Sequence, residues 1–180
     1  MSYCTYCKTL PNENHHRIYH DFHYGFPIDD DNELFGRLIL EINQAGLSWD
    51  LILKKQDNFR NAFDNFEIEK IATYSNKKVE ELVLDAGIIR NRLKINAVIY
   101  NAKVIIELQK EFKSFKNWIE FHQPKLKEEW VELFKKTFKF TGGEIVKEFL
   151  MSTGYLNGAH DDDCEILIKM VLQALEWKHI

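Results

Sequence analysis

The sequence predicts an all-α fold. Three observations carry the prediction: apolar residues recur at helical spacing in several stretches, no convincing strand pair or internal repeat is present, and Gly and Pro are scarce. Eight glycines and three prolines in 180 residues fall below the usual share of roughly 12%. That is too few for a sandwich or barrel, which turns every few residues. The hydrophobic share of 45% and the charged share of 29% are those of a soluble globular chain. At this length one domain or a compact two-lobed one, with ample core, is the default, and residues 1–180 are read as a single domain.

Taken in order, residues 1–31 read as irregular, with Pro11, Pro27, clustered Asn and His, and the run Asp29-Asp30-Asp31. From Asn32 onward, Leu34, Phe35, Leu38, Ile39, Ile42 and Ala45 form a helical stripe, preceded by acids suited to the positive end of the helix dipole. Gly46 breaks that helix. Ser48 is a fair N-cap for the next, whose apolar side is Trp49, Ile52, Leu53, Phe59 and Phe63. Ser75 caps a short helix through Leu84, and Asp85-Ala86-Gly87 makes a turn. The clearest helix follows, with Ile95, Val98, Ile99, Ala102, Ile105 and Ile106 on one face, and it is expected at the centre of the fold. Shorter helical patterns surround Trp118 and Trp130-Leu133-Phe134, run from Gly143 to Ser152, and fill Glu165 to Ile180.

Several classes of protein are excluded or disfavoured. No apolar run approaches the roughly 18 residues of a membrane span, and Met1-Ser2-Tyr3-Cys4 carries neither the basic nor the apolar part of a signal peptide. Three cysteines cannot all pair within one chain, so reduced thiols or metal ligands, and a cytoplasmic setting, are expected. With 24 Lys+Arg against 28 Asp+Glu the net charge is −4. This excludes a surface that neutralises phosphate everywhere, but not a local basic face.

Three constellations carry chemistry. At 100° per residue, Glu41 lies about 20° from Leu34 and about 60° from Leu38 on the helix wheel, so it points with the apolar stripe. A buried carboxylate is costly unless it is paired or hydrogen-bonded. Either Glu41 sits at the stripe's edge and bonds a helix N-terminus or a lysine, or it forms a pocket with Trp49 for a flat, polar, cationic ligand. At the two ends stand Cys4-x-x-Cys7, His20 and His160-x-x-x-Cys164. Cys4 or Cys7 with the other three would make one tetrahedral zinc site, structural because four protein ligands leave no position for water. Unrelated thiols and histidines are the alternative. Finally, Lys135 to Gly143 joins two helical patterns through Gly142-Gly143, with Lys139 nearby. Glycines at a helix start let backbone N–H groups approach an anion, although an ordinary glycine turn reads the same way.

Together these segments resemble the DNA-3-methyladenine glycosylase I family. The resemblance runs in order through Cys4 and the aromatic Tyr6, Tyr19-His20-Asp21-x-x-Tyr24-Gly25-x-Pro27, and Leu40-Glu41-x-x-Gln44-Ala45-Gly46-Leu47-Ser48-Trp49. It continues through Leu53-Lys54-Lys55, Asp85-Ala86-Gly87-Ile88-Ile89-Arg90-x-Arg92-x-Lys94-Ile95, His122-Gln123-Pro124, Phe138-Lys139-Phe140-x-Gly142 and His160-x-x-x-Cys164. The blocks from Glu41 to Trp49 and from Asp85 to Ile95 are the specific ones. The resemblance implies a helix-hairpin-helix fold with a zinc site tying the terminal segments, acting on double-stranded alkylated DNA. Such an enzyme extrudes 3-methyladenine, hydrolyses its N-glycosidic bond without cutting the strand, and leaves an abasic site.

By the same resemblance, Glu41 is the acid of the base pocket, Trp49 its stacking platform, and Tyr19, Tyr24 and Tyr6 further base-binding aromatics. Cys4, His20, His160 and Cys164 are the zinc ligands, and Lys139, Gly142 and Gly143 lie in the DNA-binding hairpin. Tyr6 and Tyr24 stand where the family usually has tryptophan, and His16 where it often has tyrosine. The segment between Cys4 and His20 is longer than in the family, and the stretch from Pro124 to the hairpin is shorter. The helix over 165–180 has no counterpart, and Asp161-Asp162-Asp163 sets negative charge between two zinc ligands. A monomer is the default expectation. Competing readings are a non-catalytic binder of damaged DNA on the same fold, and a zinc-stapled scaffold whose last helix docks a partner. A scaffold needs neither the buried acid nor its stacking partner.

Overall fold

The computed structural model describes residues 1–176, with side chains described through Val171. Among these, all long elements are helices: α1 (Tyr3–Lys8), α2 (His15–Phe22), α3 (Asp31–Gln44), α4 (Trp49–Ala62), α5 (Ile68–Ala72), α6 (Asn76–Leu84), α7 (Arg92–Phe112), α8 (Phe115–Phe121), α9 (Lys127–Thr137), α10 (Gly143–Ser152) and α11 (Glu165–Glu176). A 3-10 turn, Asp64–Phe66, precedes α5. The all-α expectation agrees with this. No helix among the described residues is long and apolar enough to cross a membrane. The chain divides into two compact units: Ile28–Phe149, and a smaller one built from Met1–Pro27 and the residues from Leu150 onward.

In the larger unit α7 is central, packing on α3, α5, α6 and α8. Ile95, Val98, Ala102 and Ile105 are buried along it as the helical stripe requires. Local chemistry starts the helices where they start. Asp30, Ser48, Ser75, Asn91 and Ser114 each accept a backbone N–H from the first turn of α3, α4, α6, α7 and α8, contacts worth about 1 kcal/mol apiece. Asp31 has a second use: its carboxylate accepts the Phe115 and Lys116 N–H groups at 2.7 and 3.0 Å, tying the start of α8 to α3. Rings of Phe115, Trp118, Phe134, Phe138 and Phe149 then lock α8, α9 and α10 together, with centroids 5.4–6.2 Å apart. Gly36 on α3 has no room for a side chain, because a Cβ there would lie 2.4 Å from the Phe66 ring.

The smaller unit corrects one expectation. Residues 1–31 were expected to be irregular, yet they contain α1 and α2, capped by Ser2 and Asn14. Their inward positions are Cys4, Cys7, His16, Tyr19 and His20, which periodicity does not score as a core. The expected terminal helix is present as Glu165–Glu176. The part of that expectation on Ala174, Leu175 and residues 177–180 falls outside the described side chains.

Candidate functional site

In the larger unit, Glu41 is 3% exposed on α3, where every residue from Leu34 to Asn43 is buried. It is not at the edge of the stripe. Burial raises its carboxyl to about 8; Arg37, one turn earlier, pulls in the opposite direction, and Glu148 adds to the rise. The nearby buried lysine, Lys94, does not serve Glu41. Its Nζ donates to the carbonyls of Asn43 and Ala45 at 2.9 and 2.8 Å, and burial lowers its pKa. The carbonyls at a helix C-terminus lack intrahelical donors, and a cation there also meets the negative end of the dipole. Lys94 thus fixes the end of α3 and the turn through Gly46, whose φ is +80°. Beyond that turn Trp49 opens α4 as its first, half-buried residue. The acid and the tryptophan are therefore set on two helices flanking one anchored turn.

The smaller unit gathers the cysteines and histidines. Cys4, His20, His160 and Cys164 are all buried, and their ligand atoms lie within 4.8 Å of one another. Cys4 Sγ and Cys164 Sγ are each 3.7 Å from His160 Nδ1, Cys164 Sγ is 3.7 Å from His20 Nε2, and the two histidine nitrogens are 3.2 Å apart. The cluster could hold a metal ion. Each imidazole is oriented by its other nitrogen. His20 Nδ1 meets Asp21 Oδ1 at 2.6 Å, and His160 Nε2 donates to the Tyr24 carbonyl at 2.8 Å. Arg17 holds Asp21 in turn at 2.6 Å, and the Asp161 N–H donates to Cys4 Sγ at 3.3 Å. Burial pushes the Cys4 thiol up to about 11, a tendency a bound cation reverses. Cys7 is not a member: its thiol donates to the His16 carbonyl at 3.6 Å.

Against this cluster pack the tyrosines. Tyr19 and Tyr24 are buried with ring centroids 5.5 Å apart. Tyr3 stands edge-on to both Tyr24 and His20, at 5.6 and 5.8 Å. Tyr6 is exposed beside Tyr3 and His16. Sequence reasoning missed Tyr3, Asp21 as the support of His20, Lys94 and Arg37. Asp21 had a signal as the acid directly following a proposed ligand, and Lys94 as part of the Asp85–Ile95 block.

The connection between α9 and α10 belongs to the larger unit. Thr141 Oγ1 donates to the Phe134 carbonyl at 3.0 Å, closing the turn over the end of α9, and Phe140 takes a φ of +62°. A Cβ at Gly142 would meet nothing within 4 Å, and one at Gly143 only Val131 at 4.0 Å. Neither glycine is demanded by packing inside the protein.

The all-helical architecture is shared with solved structures of 3-methyladenine DNA glycosylase I. The chain superposes on the 3-methyladenine DNA glycosylase I of Staphylococcus aureus, a structure concerned with 3-methyladenine recognition, with a TM-score of 0.78 and 28% identity over 92% of this chain and 97% of that one. It is 36% identical to DNA-3-methyladenine glycosylase 1 of Escherichia coli K12 over 170 residues, covering 84% of this chain and 91% of the relative. It is 35% identical to the DNA-3-methyladenine glycosylase of Haemophilus influenzae Rd over 115 residues, 64% of this chain and 62% of that protein. Residues 9–167 match the family described as methyladenine glycosylase. The chain belongs to that family.

Proposed function

We propose that this protein is a monofunctional DNA repair glycosylase that flips 3-methyladenine out of alkylated double-stranded DNA and hydrolyses its N-glycosidic bond. Membership of the family supports the reaction, and the buried Glu41 on α3 is the observation that carries the site. Methylation at N3 leaves adenine positively charged and poorly paired, so it costs less to extrude than an intact base. The same charge makes it a good leaving group: as C1′–N9 breaks, the bonding electrons neutralise the departing base. Water adds to C1′ and gives up a proton, leaving an abasic site. Little acid catalysis is needed, so the role of the protein is binding, orientation and electrostatics.

In this reading Glu41 accepts hydrogen bonds from the cationic base and favours positive charge developing on the sugar. Trp49 stacks on the base through its π face. Tyr19, Tyr24 and Tyr6 receive base-binding roles from the resemblance, and Tyr19 and Tyr24 are already held by their mutual packing. The α9–α10 connection acts as the helix-hairpin-helix element. Lys139 and the backbone amides at Gly142 and Gly143 meet phosphate, and the open space beside both glycines supports a close approach. Residues 1–180 act as one glycosylase domain in a cytoplasmic monomer.

The metal is zinc, with a structural role. Bonds of about 2.3 Å to sulfur and 2.0–2.1 Å to nitrogen in a tetrahedron put S and N about 3.6 Å apart and the two nitrogens about 3.3 Å apart. The separations of 3.7 and 3.2 Å match that spacing. Four protein ligands leave no place for a reactive water, and the bonds from Asp21 and the Tyr24 carbonyl are the outer supports such histidines need.

The test is chromatography of free bases released from methylated duplex DNA, with wild type beside Trp49→Ala. Release of 3-methyladenine that falls at least ~100-fold in the variant is expected. Folded wild type that binds methylated DNA and releases nothing would instead be a non-catalytic damage binder.

A further inference from the structure

Lys139 is gripped from two adjacent positions of α7. The fully buried Asn101 accepts the Lys139 N–H at 2.8 Å and donates to its carbonyl at 3.0 Å, fixing the backbone at that residue. One residue earlier Tyr100, 41% exposed, lies beneath the side chain of the same lysine, with Nζ 4.1 Å from the ring centroid. Neighbouring helix positions point about 100° apart, which is why one can reach the chain from the interior while the other serves the ammonium outside. Lys139 pairs with no carboxylate among the described residues, whereas Lys136 in the last turn of α9 is engaged by Glu132 at 2.7 Å. An exposed lysine is among the side chains that lose most rotamer freedom when fixed. Holding one over a ring pre-organises its charge without neutralising it.

Building on the DNA-glycosylase reading, we infer that Tyr100 is a positioning residue for DNA binding: its ring holds the Lys139 ammonium in place to meet a backbone phosphate beside Gly142 and Gly143. The chemistry recognised is a phosphodiester, so the contact is sequence-independent and sensitive to salt.

The experiment is a double-mutant cycle read from the affinity of a methylated duplex, with wild type, Tyr100→Leu, Tyr100→Phe, Lys139→Ala and the Tyr100→Leu/Lys139→Ala pair at several salt concentrations. Lys139→Ala is expected to reduce the slope of log affinity against log salt by about one. Tyr100→Leu weakens affinity ~2–5-fold in the wild-type background, raises KM and leaves kcat unchanged. Tyr100→Phe, which keeps the ring, restores both. In the Lys139→Ala background Tyr100→Leu has no further effect. Equal loss in both backgrounds, unchanged or tighter binding by Tyr100→Leu, or an unaltered salt slope in Lys139→Ala would each overturn the inference. Because the cycle is read from binding, it stands or falls independently of base release, whose failure would count against the glycosylase reading instead.

Discussion

At Glu41 one physical cause, burial, sets two opposite dependences on pH. The carboxyl is raised to about 8 in the folded chain but titrates near 4.3 when unfolded. The folded state therefore holds the extra proton between those values, and stability is fully present below the lower one and lost as pH rises towards the upper. Glu41→Gln, which carries no charge, is expected to unfold at a higher denaturant concentration than wild type at pH 8, by several kcal/mol, with the gain shrinking by pH 5. An equal difference at both pH values would mean the carboxyl does not titrate in this window. Recognition runs the other way. A cationic base is met best by the carboxylate, so kcat/KM of wild type should climb with pH up to about 8, and Glu41→Gln should be slow and flat over that range. The position of this acid was legible, because the wheel angle from Leu34 and Leu38 is simple arithmetic. Arg37 and Glu148, which tune it, were not, since one sits on a face periodicity assigns to solvent and the other comes from a distant helix.

Among the elements, the α9–α10 connection offers the sharpest separation of fold from function. A side chain at Gly142 meets nothing in the protein, so Gly142→Asp should leave thermal unfolding within about 2 °C of wild type. Its carboxylate would stand where phosphate is expected, and like-charge repulsion should weaken duplex binding ~10-fold or more. Fluorescence titration with free 3-methyladenine should show no change, since no strand is present. Wild-type affinity for the duplex in this variant would put the DNA-binding face elsewhere. Elements with an ordinary apolar stripe, α3, α4, α7 and α10, were readable along the chain, as were the caps Ser48 and Ser75. The helices α1 and α2 were not. Their inner faces are made of Cys, His and Tyr, residues whose burial depends on a cluster completed more than a hundred positions later. The turn between α3 and α4 was seen as a glycine break, but the lysine that anchors it comes from α7, and local pattern carries no trace of that.

For the molecule as a whole, the buried group of Cys4, His20, His160 and Cys164 joins both terminal segments within one compact unit. Metal analysis of purified protein should return about one zinc per chain. Cys164→Ala removes a ligand and leaves buried donors without their partner, so its Tm should fall by roughly 5–12 °C, and a strong chelator should lower wild type in the same way. Zinc-free protein with unchanged Tm would make these residues an ordinary buried cluster. The likeness to the family singled out the four residues that the structure gathers, while spacing alone left Cys4 and Cys7 equivalent. The tertiary bond from the Cys7 thiol to the His16 carbonyl separates them. The division into units also orders events during synthesis. The segment Ile28–Phe149 is contiguous, so it can acquire its packing as it leaves the ribosome. Cys4 and His20 precede His160 and Cys164 by well over a hundred positions, so their cluster can close only after that whole segment has been made.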